Sequence, residues 1–168
     1  MPRVGIALGS NLGHRLANLR SAMALLRAIA CPGAALLQAP IYQSAAVDCP
    51  AGAPDFYNTV IELGFDGSPV ELLEHTQGIE STLGRIATPT RNAPRPIDID
   101  LLYFGSEILT TEGLVLPHPR LIQRRFVLQP LADIRPDLIL PGDLLTITEH
   151  LARLPSNEPA LAVVQTHW

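Results

Sequence analysis

The stretch that decides the fold is Tyr57–Gly84, YNTVIELGFDGSPVELLEHTQGIESTLG. Tyr57–Leu63 alternates and is rich in β-formers, which predicts a strand. Ser68-Pro69-Val70-Glu71 then puts Ser at a helix N-cap, Pro at the first helical position and Glu three residues after the cap. Val70, Leu73, Thr76, Ile79 and Leu83 recur at helical spacing as an inward stripe, and Gly84 supplies the C-terminal cap. Outward toward the N-terminus, residues 3–8 read as a buried first strand, stopped by a turn at Gly9-Ser10-Asn11. Leu16, Leu19, Met23, Leu26 and Ile29 predict a helix that Pro32-Gly33 ends. A strand follows over Leu36–Tyr42, with Pro40 marking an edge position. Residues 45–55 are small, Pro-rich and aperiodic, which predicts a mobile loop.

On the C-terminal side, residues 85–96 carry three Arg and three Pro and form a second loop, expected to be mobile without ligands over 85–95. Ile97–Phe104 reads as a strand, and Gly105-Ser106 turns the chain into Glu107-Ile108-Leu109. A short helix is predicted around Arg120–Leu131 and another at Ile147–Leu154, ended by Pro155. No repeat or linker divides the chain, so residues 1–168 are expected to form one domain. The order β-α-β-β-α-β predicts an α+β sandwich, with helices on one face of a mostly antiparallel sheet.

Composition narrows the function. The 168 residues suffice for a sizeable core, and 47% hydrophobic with 17% charged residues is a globular balance. A net charge of −4 argues against nucleic-acid binding, which calls for a basic footprint. No run approaches the ~20 apolar residues that cross a bilayer, and the N-terminal apolar stretch breaks too early for a signal peptide. Cys31 and Cys49 lack metal-ligand spacing, so a cytoplasmic setting is expected, and the chain is expected to be a monomer without membrane partners. All 12 basic residues are Arg. That excludes a P-loop lysine and Schiff-base chemistry, and leaves Arg forks, metal ions and backbone amides for any phosphate.

The chemistry-bearing constellation is residues 91–102, RNAPRPIDIDLL. In a strand, Asp98 and Asp100 share one face while Ile97, Ile99 and Leu101 point to the core. Two carboxylates about 6–7 Å apart repel each other unless a cation lies between them. Removing either is therefore expected to be neutral or mildly stabilising without ligands. Mg²⁺, with its preference for oxygen, water and phosphate, is the fitting cation, and two such ions would bracket a nucleotide triphosphate. Arg91 and Arg95 just upstream add the charge that phosphoryl transfer needs. The other reading is a solvated strand face carrying two aspartates.

Residues 91–102 resemble the signature of the 6-hydroxymethyl-7,8-dihydropterin pyrophosphokinase (HPPK) family. The resemblance runs in order through nearly the whole chain. It includes Gly9-Ser10-Asn11, Asp55-Phe56-Tyr57-Asn58, His75-Thr76-Gln77-Gly78-Ile79-Glu80, Gly84-Arg85, Pro117-His118, Arg124 and Phe126. It implies a ferredoxin-like α+β fold and transfer of pyrophosphate from ATP to the pterin's hydroxymethyl group, releasing AMP. By the same resemblance, Asp98 and Asp100 hold two Mg²⁺ ions and Arg85 and Arg95 contact the triphosphate. Gln77, Glu80, His118 and Arg124 lie on the nucleotide side. Phe56 and Phe126 sandwich the pterin, and Asn58 and the backbone near Ser44 read its edge. Taken alone, Phe56 and Phe126 read as core, Asn58 as a strand-end turn residue, His118 as a loop residue and Gln77 as solvated helix. Three positions depart from the family pattern: Ala87 where a basic residue is common, Asn92 where Trp is common, and Pro119 where an aromatic is frequent. An alternative is therefore a noncatalytic pterin- or nucleotide-binding relative with degraded loops; a third is a plain interaction module.

Overall fold

Val4, Ile6 and Leu8 alternate with Gly5, Ala7 and Gly9 along strand β1 (Arg3–Ser10), so that strand buries both faces and takes an interior place in the sheet. The computed structural model describes residues 1–45, 51–86, 93–155, 157 and 160–168. The elements that follow are α1 (Arg15–Ile29), β2 (Leu37–Gln38), β3 (Ile41–Ser44), β4 (Phe56–Gly64), α2 (Pro69–Thr82) and β5 (Asp98–Phe104). A small hairpin of β6 (Leu109–Thr110) and β7 (Val115–Leu116) precedes a 3₁₀ turn (Leu121–Gln123), α3 (Arg125–Ile134), α4 (Ile147–Arg153) and β8 (Ala162–Gln165). The main sheet runs β5-β1-β4-β3-β8, every pair antiparallel, with β2 also on β4. This is the ferredoxin-like α+β arrangement.

Val4, Ile6 and Leu8 pack with Leu19 and Leu26 of α1 and Leu72 and Ile79 of α2. The opposite face carries a second core, in which Val60 and Ala7 meet Val127, Leu128 and Leu131 of α3 and Ile147 of α4. Helices therefore cover both faces, not one as the element order predicts. Small residues on that second face of β1 leave room for other side chains: the Tyr103 ring lies against Gly5, and Asn58 and Phe56 lie against Gly9.

Other boundaries moved for identifiable reasons. Strand Leu36–Tyr42 divides at Ala39-Pro40, where proline lacks a ladder N–H, and β3 is no edge because β8 pairs along it. The predicted helix around Arg120–Leu131 divides at Arg124, whose backbone is extended (φ −119°, ψ 109°). The inward face of α2 is Leu72, Thr76, Ile79 and Glu80, while Val70 is 51% exposed. The cap of α2 is as read: Glu71 N–H donates to Ser68 Oγ at 3.2 Å and Ser68 N–H to Glu71 Oε2 at 2.7 Å. Gly84 then leaves the helix at φ +90°. Parts of the two predicted mobile loops, residues 46–50 and 87–92, lie outside the described residues. No described helix is long and apolar enough to cross a membrane.

Candidate active site

Strand register assembles the site. Gly9 of β1 pairs with Asp98 of β5 on one side and Asn58 of β4 on the other, and Asn58 pairs with Tyr42 of β3. Directly paired residues share a face, so Asp98, Gly9, Asn58 and Tyr42 form one row across four strands. In neighbouring rows Asp100 pairs with Ala7, and Phe56 with Ser44, on the same face. That face is the one α3 packs against. Gly9 is therefore in mid-row, not in the turn its sequence predicts. A Cβ there would lie 3.0 Å from Asn58 Oδ1 and 3.9 Å from Asp98 Cβ, so glycine keeps the floor between them open.

At the β5 end, charge gathers. Ile97, Ile99 and Leu101 are buried as expected, and Asp98 and Asp100 point to the common face. Asp98 Oδ1 accepts from Arg85 Nη1 at 2.8 Å and Arg95 Nη1 at 3.1 Å. Arg124 Nη1 stands 3.9 Å from Asp100 Oδ2, delivered by the break in the chain just before α3. Burial, and then the charge of Asp98, holds the Asp100 carboxyl above its ordinary range, against the pull of the arginines. Two half-buried carboxylates with hard oxygen donors, ringed by arginines, fit a Mg²⁺ ion that takes its remaining ligands from water and phosphate. Among the described residues no group of three or more His, Cys, Asp or Glu gathers.

Glu80 is placed differently from a lining residue. It is 8% exposed, and its Oε1 accepts the Ile99 backbone N–H at 2.7 Å and pairs with Arg85. It ties α2 to β5 and holds Arg85 beside Asp98. Burial raises its pKa, with the Ile99 N–H and Arg85 opposing. Gln77, one turn earlier, is exposed, and no described side-chain contact joins it to the cluster.

His118 lies past the hairpin, its backbone N–H donating to Leu102 O at 2.8 Å. Its Nδ1 accepts the Arg120 backbone N–H at 3.1 Å, which leaves the Nε2–H of a neutral ring as the donor. Burial, then Arg124 and Arg120, lowers its pKa and keeps it neutral. Pro119, the departure beside it, is exposed; Ala87, Arg91 and Asn92 are outside the described residues.

On the β3–β4 side, Asn58 Nδ2 donates to Ser44 Oγ at 2.6 Å, leaving the Asn58 carbonyl oxygen over Gly9. Phe56 and Phe126 are both half-buried on the α3 face, and Arg124 lies 5.5 Å from the Phe126 ring centre. Tyr42, which sequence reasoning passed over, closes the row. Its hydroxyl donates to Asp133 of α3 at 2.6 Å, and burial with that carboxylate pushes its pKa up to about 12. The sequence places Tyr42 only at the end of a predicted strand; register with β4 puts it beside Asn58.

Against this geometry, comparison with known proteins is consistent along the chain. The sequence model described as "7,8-dihydro-6-hydroxymethylpterin-pyrophosphokinase (HPPK)" matches residues 5–136. The chain is 44% identical over 132 residues to a 2-amino-4-hydroxy-6-hydroxymethyldihydropteridine pyrophosphokinase of Bacillus subtilis, covering 77% of this chain and 75% of that one. It is 38% identical over 154 residues to the protein of the same name from Pseudomonas aeruginosa, covering 91% and 92%. It is also 34% identical to the folic acid synthesis protein fol1 of Pneumocystis carinii, covering 92% of this chain but only 20% of that longer protein. Among solved structures, the wild-type Plasmodium falciparum HPPK-DHPS with pteroate superposes with a TM-score of 0.68 at 12% identity, over 90% of this chain and 42% of that one. At that identity the likeness concerns the fold alone.

Proposed function

The chain belongs to the 7,8-dihydro-6-hydroxymethylpterin-pyrophosphokinase family, and on that premise we propose that it transfers pyrophosphate from ATP to 6-hydroxymethyl-7,8-dihydropterin in folate biosynthesis. The pterin hydroxymethyl oxygen attacks the β-phosphorus, the bond from that phosphorus to the α,β-bridging oxygen breaks, and AMP leaves. The hydroxyl proton passes to solvent. The observation that carries the reading is one strand face presenting Asp98 and Asp100 to Arg85, Arg95 and Arg124.

Asp98 and Asp100 would hold two Mg²⁺ ions, which would supply charge neutralisation at the triphosphate oxygens. Arg85 and Arg95, now paired with Asp98, exchange that partner for phosphate when nucleotide binds. Glu80 keeps Arg85 in place during the exchange through its own ion pair. Arg124 and the neutral His118, as an Nε2–H donor, take the nucleotide side, with exposed Gln77 nearby on α2. Phe56 and Phe126 hold the pterin ring, and Asn58, with an amide that both donates and accepts, reads its edge together with the backbone near Ser44. In a loose transition state the nucleophile needs little activation, so alignment and charge carry most of the acceleration. Residues 1–168 act as one domain, as a monomer in the cytoplasm.

The test is AMP formation from ATP and Mg²⁺ with and without the reduced pterin. AMP that appears only with pterin, mole for mole with pterin diphosphate, is the expected result. Nucleotide bound without turnover would instead identify a noncatalytic relative.

A further inference from the structure

The motif Gly9-Ser10-Asn11 contains a residue that the reaction chemistry leaves unused. Asn11 is fully buried. Its Oδ1 accepts the Arg95 backbone N–H at 2.9 Å, and its own backbone N–H donates to Arg95 O at 3.3 Å. The main chain of Arg95 is thus gripped from both sides. The other end of the same amide, Nδ2, faces Pro54 O at 3.4 Å, immediately before Asp55 and Phe56. One side chain therefore touches both the segment that delivers Arg95 and the segment that leads into Phe56 and Asn58.

Its mounting is firm. Ser10, also fully buried, ends β1, and Asn18 of α1 donates to Ser10 Oγ at 3.3 Å and Leu12 O at 2.9 Å. Asp55 has ties of its own: Arg15 donates to its carbonyl at 2.7 Å and Gln43 to its carboxylate at 2.9 Å. Removing the Asn11 amide thus disconnects the two segments from each other without releasing Asp55 from the fold. An aliphatic side chain of the same size offers neither bond, and a carboxylate offers only the acceptor.

We propose that Asn11 is a positioning residue that couples the pterin-side and phosphate-side segments, so that ordering one favours binding at the other. The coupling rests on the pyrophosphokinase reading for the identity of the two ligands. It has a thermodynamic signature that mere structural support lacks: the affinity for one ligand depends on the presence of the other, reciprocally.

The experiment titrates reduced pterin calorimetrically, with and without Mg²⁺ and a nonhydrolysable ATP analogue. In the wild-type chain the analogue is expected to tighten pterin binding by about tenfold. In Asn11→Leu that factor is expected to fall below about twofold, while binding of each ligand alone persists. Asn11→Asp keeps the acceptor for Arg95 N–H and gives Pro54 O no donor, so it should retain nucleotide affinity and lose the coupling. Should Asn11→Leu fail to fold, Asn11→Asp decides the matter alone. Full coupling in a folded variant, or a wild-type chain that binds both ligands without coupling, overturns the role of Asn11 and leaves the function intact. A wild-type chain that binds neither ligand overturns the function, and the coupling with it.

Discussion

Replacing Asp98 with alanine removes one oxygen that two guanidiniums share. Arg85 and Arg95 approach Asp98 Oδ1 at 2.8 and 3.1 Å, with side chains 34% and 22% exposed. Partly exposed pairs of this kind contribute about 0.5 kcal/mol each, so their loss costs about 1 kcal/mol, and two arginines are left facing each other. In a domain of this size that lowers Tm by about 2–4 °C. Asp100→Ala differs in sign. Its side chain is 40% exposed, and the 3.9 Å ion pair with Arg124, with the longer-range pull of Arg85 and Arg95, does not outweigh burial and the charge of Asp98. Its raised pKa means that the charged form is disfavoured in the folded state at neutral pH, so the substitution should leave Tm unchanged or raise it by about 1 °C. From the strand alone, both changes relieve repulsion; the arginines arriving from outside the strand reverse the outcome for Asp98. Calorimetric melting at pH 7 without divalent ions separates the two, and both variants should lose Mg²⁺-dependent AMP release. Equal destabilisation by the two substitutions would refute the assignment of partners, and normal activity in either would refute its role as a metal ligand.

Three further outcomes follow from named contacts. Arg95→Ala should slow single-turnover transfer by about 10²–10³ while leaving pterin affinity nearly unchanged, because a charge-stabilising donor acts in the transition state; an equal loss in affinity would contradict this. His118 is held below its ordinary 6.5 first by burial and then by Arg124 and Arg120. The unfolded chain therefore takes the proton first, and stability falls as pH drops from 6.5 toward the lowered value. Denaturant titrations across pH 5–7.5 should give a shallower acid loss in His118→Gln than in wild type, and identical curves would count against a buried neutral ring. A Cβ added at Gly5 would lie 2.2 Å from Cε1 of Tyr103, a buried ring whose hydroxyl donates to the fully buried Glu62. Gly5→Ala should cost about 3 kcal/mol, and pairing it with Tyr103→Leu should recover part of that loss; a wild-type melting point for Gly5→Ala alone would mean the contact yields.

The legible parts of the sequence were those with a local physical cause. The cap of α2 was readable because Ser68 and Glu71 satisfy each other's backbone donors within four residues, and the face of Asp98 and Asp100 because strand periodicity is two. The illegible parts depend on what packs where. β8 is four residues long and becomes a strand only because β3 offers it an open ladder. α3 covers a face whose small residues read simply as strand interior. The resemblance puts Glu80 on the nucleotide side, yet its carboxylate is buried against Ile99 and Arg85, since β5 brings an N–H to meet it. Gly9 reads as a turn because glycine commonly marks one; register with Asn58 and Asp98 makes it the floor of a site.

The most direct test of the central claim counts metal ions. Electron paramagnetic titration of Mn²⁺, in place of Mg²⁺, into the chain saturated with a nonhydrolysable ATP analogue and reduced pterin reports ions bound per chain. The carboxylate pair at Asp98 and Asp100 predicts two in the wild-type chain and a loss of tight binding in the Asp98→Ala/Asp100→Ala double variant, with analogue still at saturation. Unaltered tight Mn²⁺ binding in that double variant would contradict the account.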